Sequence, residues 1–248
     1  MSIIRAIVRL LCLLSVALVF IGIGFWLRTI YIRRPVLHKR HLSEFTCRWA
    51  KCICRILNIR VQIQGEARKS AGVLIVANHV GSPDIFVLGS CFNTFFLSMH
   101  DVADWPVVGT LARLGHTVFV DRSRKHQVKD NINNIADRLR NGFHVALFPE
   151  GQATDGSHVL PFKTSHFEAA VLAARPVLPV AIRYLDKNCP SIACWTGTAF
   201  AVHFIRLLTN SVLEVEVCIL PEISSELGRR ELALESYSAI RAELCRDN

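Results

Sequence analysis

The stretch VLIVANHVGSPD, residues 73–84, decides how the rest of the chain is read. Its first five residues form an apolar run of strand length that ends in Asn78 and His79. Ser82, Pro83 and Asp84 then have the make-up of a helix start. Serine suits the N-cap and proline the first helical position, and a carboxylate in the first turn meets the favourable end of the helix dipole. A strand that turns this tightly into a helix folds back on itself and brings His79 to Asp84. Asp84 would then accept from one ring nitrogen and leave the other to take a proton. A histidine beside an aspartate is more often a satisfied polar pair than a catalytic one, so the pair alone does not specify an activity.

Alternation continues on both sides of this stretch. From Arg60 onward, strand-like runs at 61–64, 73–77, 95–97, 117–120, 144–148, 177–184 and 213–220 are separated by helical patterns, which predicts an α/β fold with a mixed sheet flanked by helices. The clearest helix begins at Ser123, repeats Val128, Ile132, Ile135 and Leu139 on one face, and stops at Gly142; a last helix is expected over 225–244. Polar residues stand directly after several strands, where sites form in such sheets: Arg122 after 117–120, and Glu150 with Gly151 after 144–148.

The 248 residues suffice for one large α/β domain once residues 1–57 are set apart as N-terminal membrane-anchoring helices, leaving 58–248 as the α/β domain. Every residue from 10 to 27 is apolar or small, with Arg5 and Arg9 before it and Arg28, Arg33 and Arg34 after it. Eighteen helical residues reach about 27 Å, slightly short of a hydrocarbon core of roughly 30 Å. A span and a helix embedded in one leaflet are therefore both open. No small-x-small cleavage site follows, so the segment is expected to be retained. The basic excess after it places the bulk of the protein on the cytosolic face of the cytoplasmic membrane. Residues 41–57 interleave apolar positions with Arg48, Lys51 and Arg55 as a basic amphipathic helix, suited either to a membrane surface or to packing on the domain.

Lys and Arg outnumber Asp and Glu by 29 to 20, which points to an anionic partner. No nucleic-acid-binding module accompanies that charge, so nucleic acid is not the expected partner. Nine cysteines, odd in number and without a C-x-x-C pair, read as reduced and mostly buried thiols. His79, His116 and His144 lie on separate elements without zinc-like spacing, and no metal is called for.

Four motifs recur in order: N-H-x-x-x-x-D (Asn78, His79, Asp84), G-x-x-x-F-x-x-R (Gly115, Phe119, Arg122), F-P-E-G (residues 148–151) and P-V-x-P-V (residues 176–180). Together they resemble the motifs of the glycerolipid acyltransferases, membrane-associated enzymes typified by 1-acylglycerol-3-phosphate acyltransferase, over about residues 73–184. Connecting text such as Trp105-Pro106 and 160–163 also resembles the bacterial lyso-ornithine lipid acyltransferase branch.

The resemblance implies that His79 is a general base and Asp84 its orienting partner, moving an acyl group from acyl-CoA or acyl carrier protein to a lysolipid hydroxyl. The thioester is a co-substrate, so no cofactor is implied. Asn78, Arg122, Glu150, Gly151 and Lys163 are then the expected substrate-binding residues. Backbone N–H groups of 80–82 or of 149–151 are alternative oxyanion donors. Two departures bear on the acceptor. Relatives commonly continue F-P-E-G with Thr and Arg where this chain has Gln152 and Ala153, and many carry Lys where it has Met99 and His100. Lysophosphatidic acid is the first acceptor expected and a lyso-ornithine lipid or other lysophospholipid the second; Lys163 or Arg183 would supply charge in place of the missing cations.

Overall fold

The computed structural model describes residues 2–66, 70–120, 125–186, 188 and 190–246. Two helices lead, α1 (Ser2–Ile30) and α2 (Pro35–Leu57), followed by β1 (Ile59–Gln64), β2 (Leu74–Ala77), α3 (Pro83–Cys91), β3 (Thr94–Met99), α4 (Val108–Leu114) and β4 (Val118–Val120). Then come α5 (Lys125–Arg140), β5 (His144–Leu147), α6 (Glu168–Ala173), β6 (Val177–Tyr184), α7 (Phe200–Thr209), β7 (Leu213–Ile219) and α8 (Arg229–Leu244). The strands form one sheet in the order β1-β7-β6-β2-β5-β3-β4, parallel throughout except for the β6–β7 pair. The expected mixed sheet flanked by helices is what forms.

Alternation along the central strands divides the core in two. Ile75 and Ala77 of β2, with Leu178, Val180 and Ile182 of β6, face α2, α3 and α7. Leu74 and Val76, with Val177 and Ala181, face α5, α6 and α8. Because β2 is covered on both faces, its four residues are all buried, which is why it reads as a continuous apolar run. The expected α5 stripe lands on the second layer through Ile132, Ile135 and Leu139, and Gly142 beyond it has φ +81°. The expected start of that helix at Ser123 lies outside the described residues. The last helix begins at Arg229 and not at 225, because Ile223 pairs with Val177 as an isolated bridge first.

Both N-terminal helices belong to the first layer. Ile53, Cys54 and Leu57 of α2 enter the core beside β2 and β6, leaving Arg40, Arg48, Lys51 and Arg55 exposed on the other side. Residues on both sides of the turn from α2 to β1 share one core. α1 is longer than the apolar run, and its face bearing Leu13, Val16, Phe20, Gly24 and Leu27 lies against the protein, with Phe20 between Phe45 and Trp49. Arg9 is only 7% exposed and donates to the carbonyls of Leu207, Leu208 and Asn210, while Arg5 donates to Thr209 O (3.1 Å). Two guanidinium groups therefore close the C-terminus of α7, where the helix dipole favours cations. Outward, α1 exposes Ile4, Leu11, Leu18 and Trp26, and α7 exposes Val202 and Ile205. Of the eight described cysteines all are free; Cys47, Cys54, Cys194 and Cys218 are buried, whereas Cys12 and Cys245 are exposed. Cys189 lies outside the described residues.

Candidate active site

β2 delivers Asn78 and His79 at its C-terminal end, and α3 begins at Pro83, so the chain reverses between them. His79 Nδ1 and Asp84 Oδ2 stand 2.7 Å apart, as the spacing implies. The same Asp84 oxygen accepts from the N–H groups of Val80 (2.7 Å) and Gly81 (2.9 Å). Asp84 Oδ1 accepts from the hydroxyl of Tyr184 (2.7 Å). The Asp84 side chain is fully buried, a position a carboxylate tolerates only when its oxygens are matched by donors. With Nδ1–H directed at Asp84, the Nε2 lone pair of His79 is left to accept a proton, and the ring keeps 20% of its surface exposed.

Two expectations about this turn need correction. Ser82 occupies the N-cap position, but its backbone is already helical (φ −59°, ψ −28°) and its hydroxyl makes no capping bond. The Asp84 carboxylate instead takes the N–H groups of Val80 and Gly81, which lie in the loop ahead of the helix. For the same reason the N–H groups of Val80 and Gly81 point inward to Asp84, which removes them from the candidate oxyanion donors.

The segment after β5 grips His79 from the other side. Glu150 Oε1 accepts from the His79 N–H (2.7 Å), Thr154 N–H donates to the His79 carbonyl (2.9 Å), and the Phe148 ring stacks on the imidazole with centroids 4.2 Å apart. Glu150 Oε2 accepts from Leu160 N–H (2.7 Å). Glu150 is 3% exposed, and burial raises its pKa, an effect those two backbone donors offset only in part. The head-group role implied for Glu150 therefore meets a different geometry: its carboxylate braces the backbone beneath His79. Gly151 adopts φ +77°, the left-handed turn that lets the chain leave β5 in this way, and its N–H donates to Phe148 O.

Asn78 is likewise turned inward. Its amide donates to Ile182 O (2.9 Å) and accepts from Ile182 N–H (2.8 Å), acting as an extra rung that joins the end of β2 to β6. Lys163 is exposed, and its N–H donates to Pro149 O (2.9 Å), tying it to the turn that carries Glu150. Arg122 lies outside the described residues. Arg183, considered as a substitute cation, projects to the opposite face of β6, where it meets Glu216 (3.6 Å) and donates to Glu243 O (2.7 Å). Met99 is exposed at the end of β3.

Tyr184, Thr154 and the strap 193–195 were not singled out from the sequence. Alternation along β6 places Tyr184 on the face opposite Arg183, a signal present once the strand is recognised. Burial and the adjacent Asp84 charge push the Tyr184 phenol well above its ordinary value, so it remains a donor. The strap has no such periodic signal. It approaches so closely that a Cβ on Gly81 would lie 1.9 Å from Ala193 O, and Trp195 N–H donates to Val80 O (3.1 Å).

The acyltransferase family model matches residues 58–183. The lyso-ornithine lipid O-acyltransferase of Rhizobium meliloti (strain 1021) is 38% identical over 184 residues, covering 68% of this chain and 63% of that protein, a little under two thirds of its length. The 1-acyl-sn-glycerol-3-phosphate acyltransferase of Neisseria gonorrhoeae is 34% identical over 181 residues, 71% of each chain. The crystal structure of the 1-acyl-sn-glycerophosphate acyltransferase PlsC from Thermotoga maritima covers 98% of this chain and 96% of its own with a TM-score of 0.72; at 21% identity that likeness is one of fold. Since the family model spans half of the chain and takes in His79, Asp84 and the turn that braces them, the chain belongs to the acyltransferase family.

Proposed function

We propose that the protein transfers a fatty acyl group from a thioester, acyl-CoA or acyl carrier protein, to the hydroxyl of a lysolipid, with His79 as general base. The observation that carries this reading is the 2.7 Å contact between His79 Nδ1 and a fully buried Asp84, which leaves Nε2 to accept a proton on a ring that is 20% exposed. In the reaction, Nε2 removes the hydroxyl proton as the oxygen attacks the thioester carbonyl. Asp84 stabilises the resulting imidazolium, the C–S bond breaks, and the departing thiolate takes up the hydroxyl proton held by His79. A thiol has a pKa near ~8.5, so this leaving group needs no stronger acid, and no serine or cysteine nucleophile enters the scheme.

For the acceptor we favour a lyso-ornithine lipid, with lysophosphatidic acid as the second reading. The relative of greater identity reported above carries the first name. By the family resemblance, Met99 and Ala153 take places where cations are common, and Arg183 is engaged with Glu216 and Glu243. A phosphomonoester relies more on such cations than a zwitterionic head group does. Arg122 and Lys163 remain the proposed head-group contacts.

Association with the membrane is supported by the apolar outer faces of α1 and α7, and the excess of basic residues after α1 supports a cytosolic position for the bulk of the protein. Because α1 rests one face on the protein along its length, a helix lying in one leaflet fits better than an isolated span. The deciding experiment supplies the purified full chain with labelled acyl-CoA or acyl carrier protein and each lysolipid in turn. Turnover with lyso-ornithine lipid above that with lysophosphatidic acid is expected. Preference for lysophosphatidic acid would reverse the acceptor order, and no transfer to any lysolipid would end the reading.

A further inference from the structure

His203 is a fully buried histidine that the chemistry above does not use. It lies on α7, and its Nε2 is 2.8 Å from Ser82 Oγ in the turn between His79 and Asp84. Ser82 gives up the capping bond its position would normally make, so its hydroxyl is directed at a partner 121 residues away. Burial lowers the pKa of His203, which keeps the ring neutral. Its face lies nearly parallel to Trp195 (centroids 5.9 Å, 14°), and Trp195 itself donates to Val80 O. The catalytic turn is therefore held at Val80 by the strap and at Ser82 by α7.

We infer that His203, acting through Ser82, is a positioning residue that fixes the turn carrying His79 and Asp84 in its reactive geometry. This rests on His79 being the base. Neither His203 nor the Ser82–His203 contact takes a proton from substrate; the contact sets the angle at which α3 enters and hence where Asp84 meets His79. Small misplacements of such groups lower the rate of the chemical step with little effect on binding. α7 is also the helix whose C-terminus Arg9 of α1 closes, so the contact ties the catalytic turn to the element seated on the apolar N-terminal helix.

The test compares kcat and KM of full-length Ser82→Ala, His203→Phe, His203→Gln and the double variant Ser82→Ala/His203→Phe. Loss of one buried hydrogen bond corresponds to about a tenfold fall in kcat, with KM for thioester and lysolipid within about twofold. Ser82→Ala and His203→Phe should each show that fall, the double variant should be no worse than either, and His203→Gln, which restores a polar group near Nε2, should recover most of it. Losses that multiply in the double variant, equal activity of the Phe and Gln variants, or a rise in KM alone would overturn the inference. If His203→Phe does not fold, Ser82→Ala decides: wild-type kcat would overturn the inference and a selective fall in kcat would support it. His79→Ala separates the two claims, because an active His79→Ala removes the base, whereas an inactive one with unimpaired Ser82→Ala removes only the positioning role.

Discussion

The turn at 79–84 and the segment 184–203 both shape the same site, yet they do so in different ways. The first is local: His79 and Asp84 are five residues apart, and their contact follows from one strand-to-helix reversal. The second is remote: Tyr184 reaches Asp84 across 100 residues, and His203 reaches Ser82 across 121. Chemistry sits in the local element, while its precision comes from distant ones. Each partner of a buried charge must be supplied by some part of the chain, and only the sheet order determines which part.

Asp84→Asn attacks the local half and should have the largest effect among the supporting residues. Without a charge to stabilise the imidazolium or fix the ring tautomer, kcat should fall by roughly 10² to 10⁴, measured with the folded state checked by circular dichroism. Tyr184→Phe attacks the remote half. It leaves one oxygen of a buried carboxylate without its donor, and a fall of about tenfold in kcat is expected. A loss as great as that of Asp84→Asn would mean the remote contacts govern the site, and wild-type activity would mean the turn is self-sufficient. Glu150→Gln should cost less, roughly fivefold, by presenting an NH2 group to a backbone N–H and loosening His79. A lowered melting temperature should accompany it.

Much of the fold was legible for the same reason that the turn was. β2 is buried on both faces and reads as a plain apolar run, β5 does so after His144, and α5 shows its stripe at helical period. Ser82 was misread because a good N-cap residue is judged from its neighbours, whereas its real partner lies on α7. Arg5 and Arg9 show the same limit: beside an apolar run they read only as basic flanks, and the packing of α1 against α7 gives them a further role as a helix cap. Glu150 was placed correctly at a strand end, but the direction of its carboxylate depends on the path of residues 150–160, which no short pattern encodes.

Acid sensitivity bears on the stability of the fold and is distributed over several histidines. Burial lowers the pKa of His116 from 6.5 to about 4, and His38 and His144 move in the same direction; His144 Nδ1 accepts from Val73 N–H at the start of β2. A histidine whose folded pKa is depressed binds fewer protons folded than unfolded across that window. Its contribution is therefore intact above its ordinary pKa near 6.5 and is lost as pH falls toward 4. For His116 this amounts to on the order of 3 kcal/mol at most. Thermal unfolding followed from pH 7 to pH 4 should show falling stability, with less of a fall in His116→Asn.

The central claim is that His79 takes the proton from the acceptor. It is tested most directly by kcat/KM of folded His79→Ala with the preferred lysolipid and thioester. A drop of at least roughly 10², down to the background rate, is the expected result, and activity within about tenfold of wild type would contradict the account.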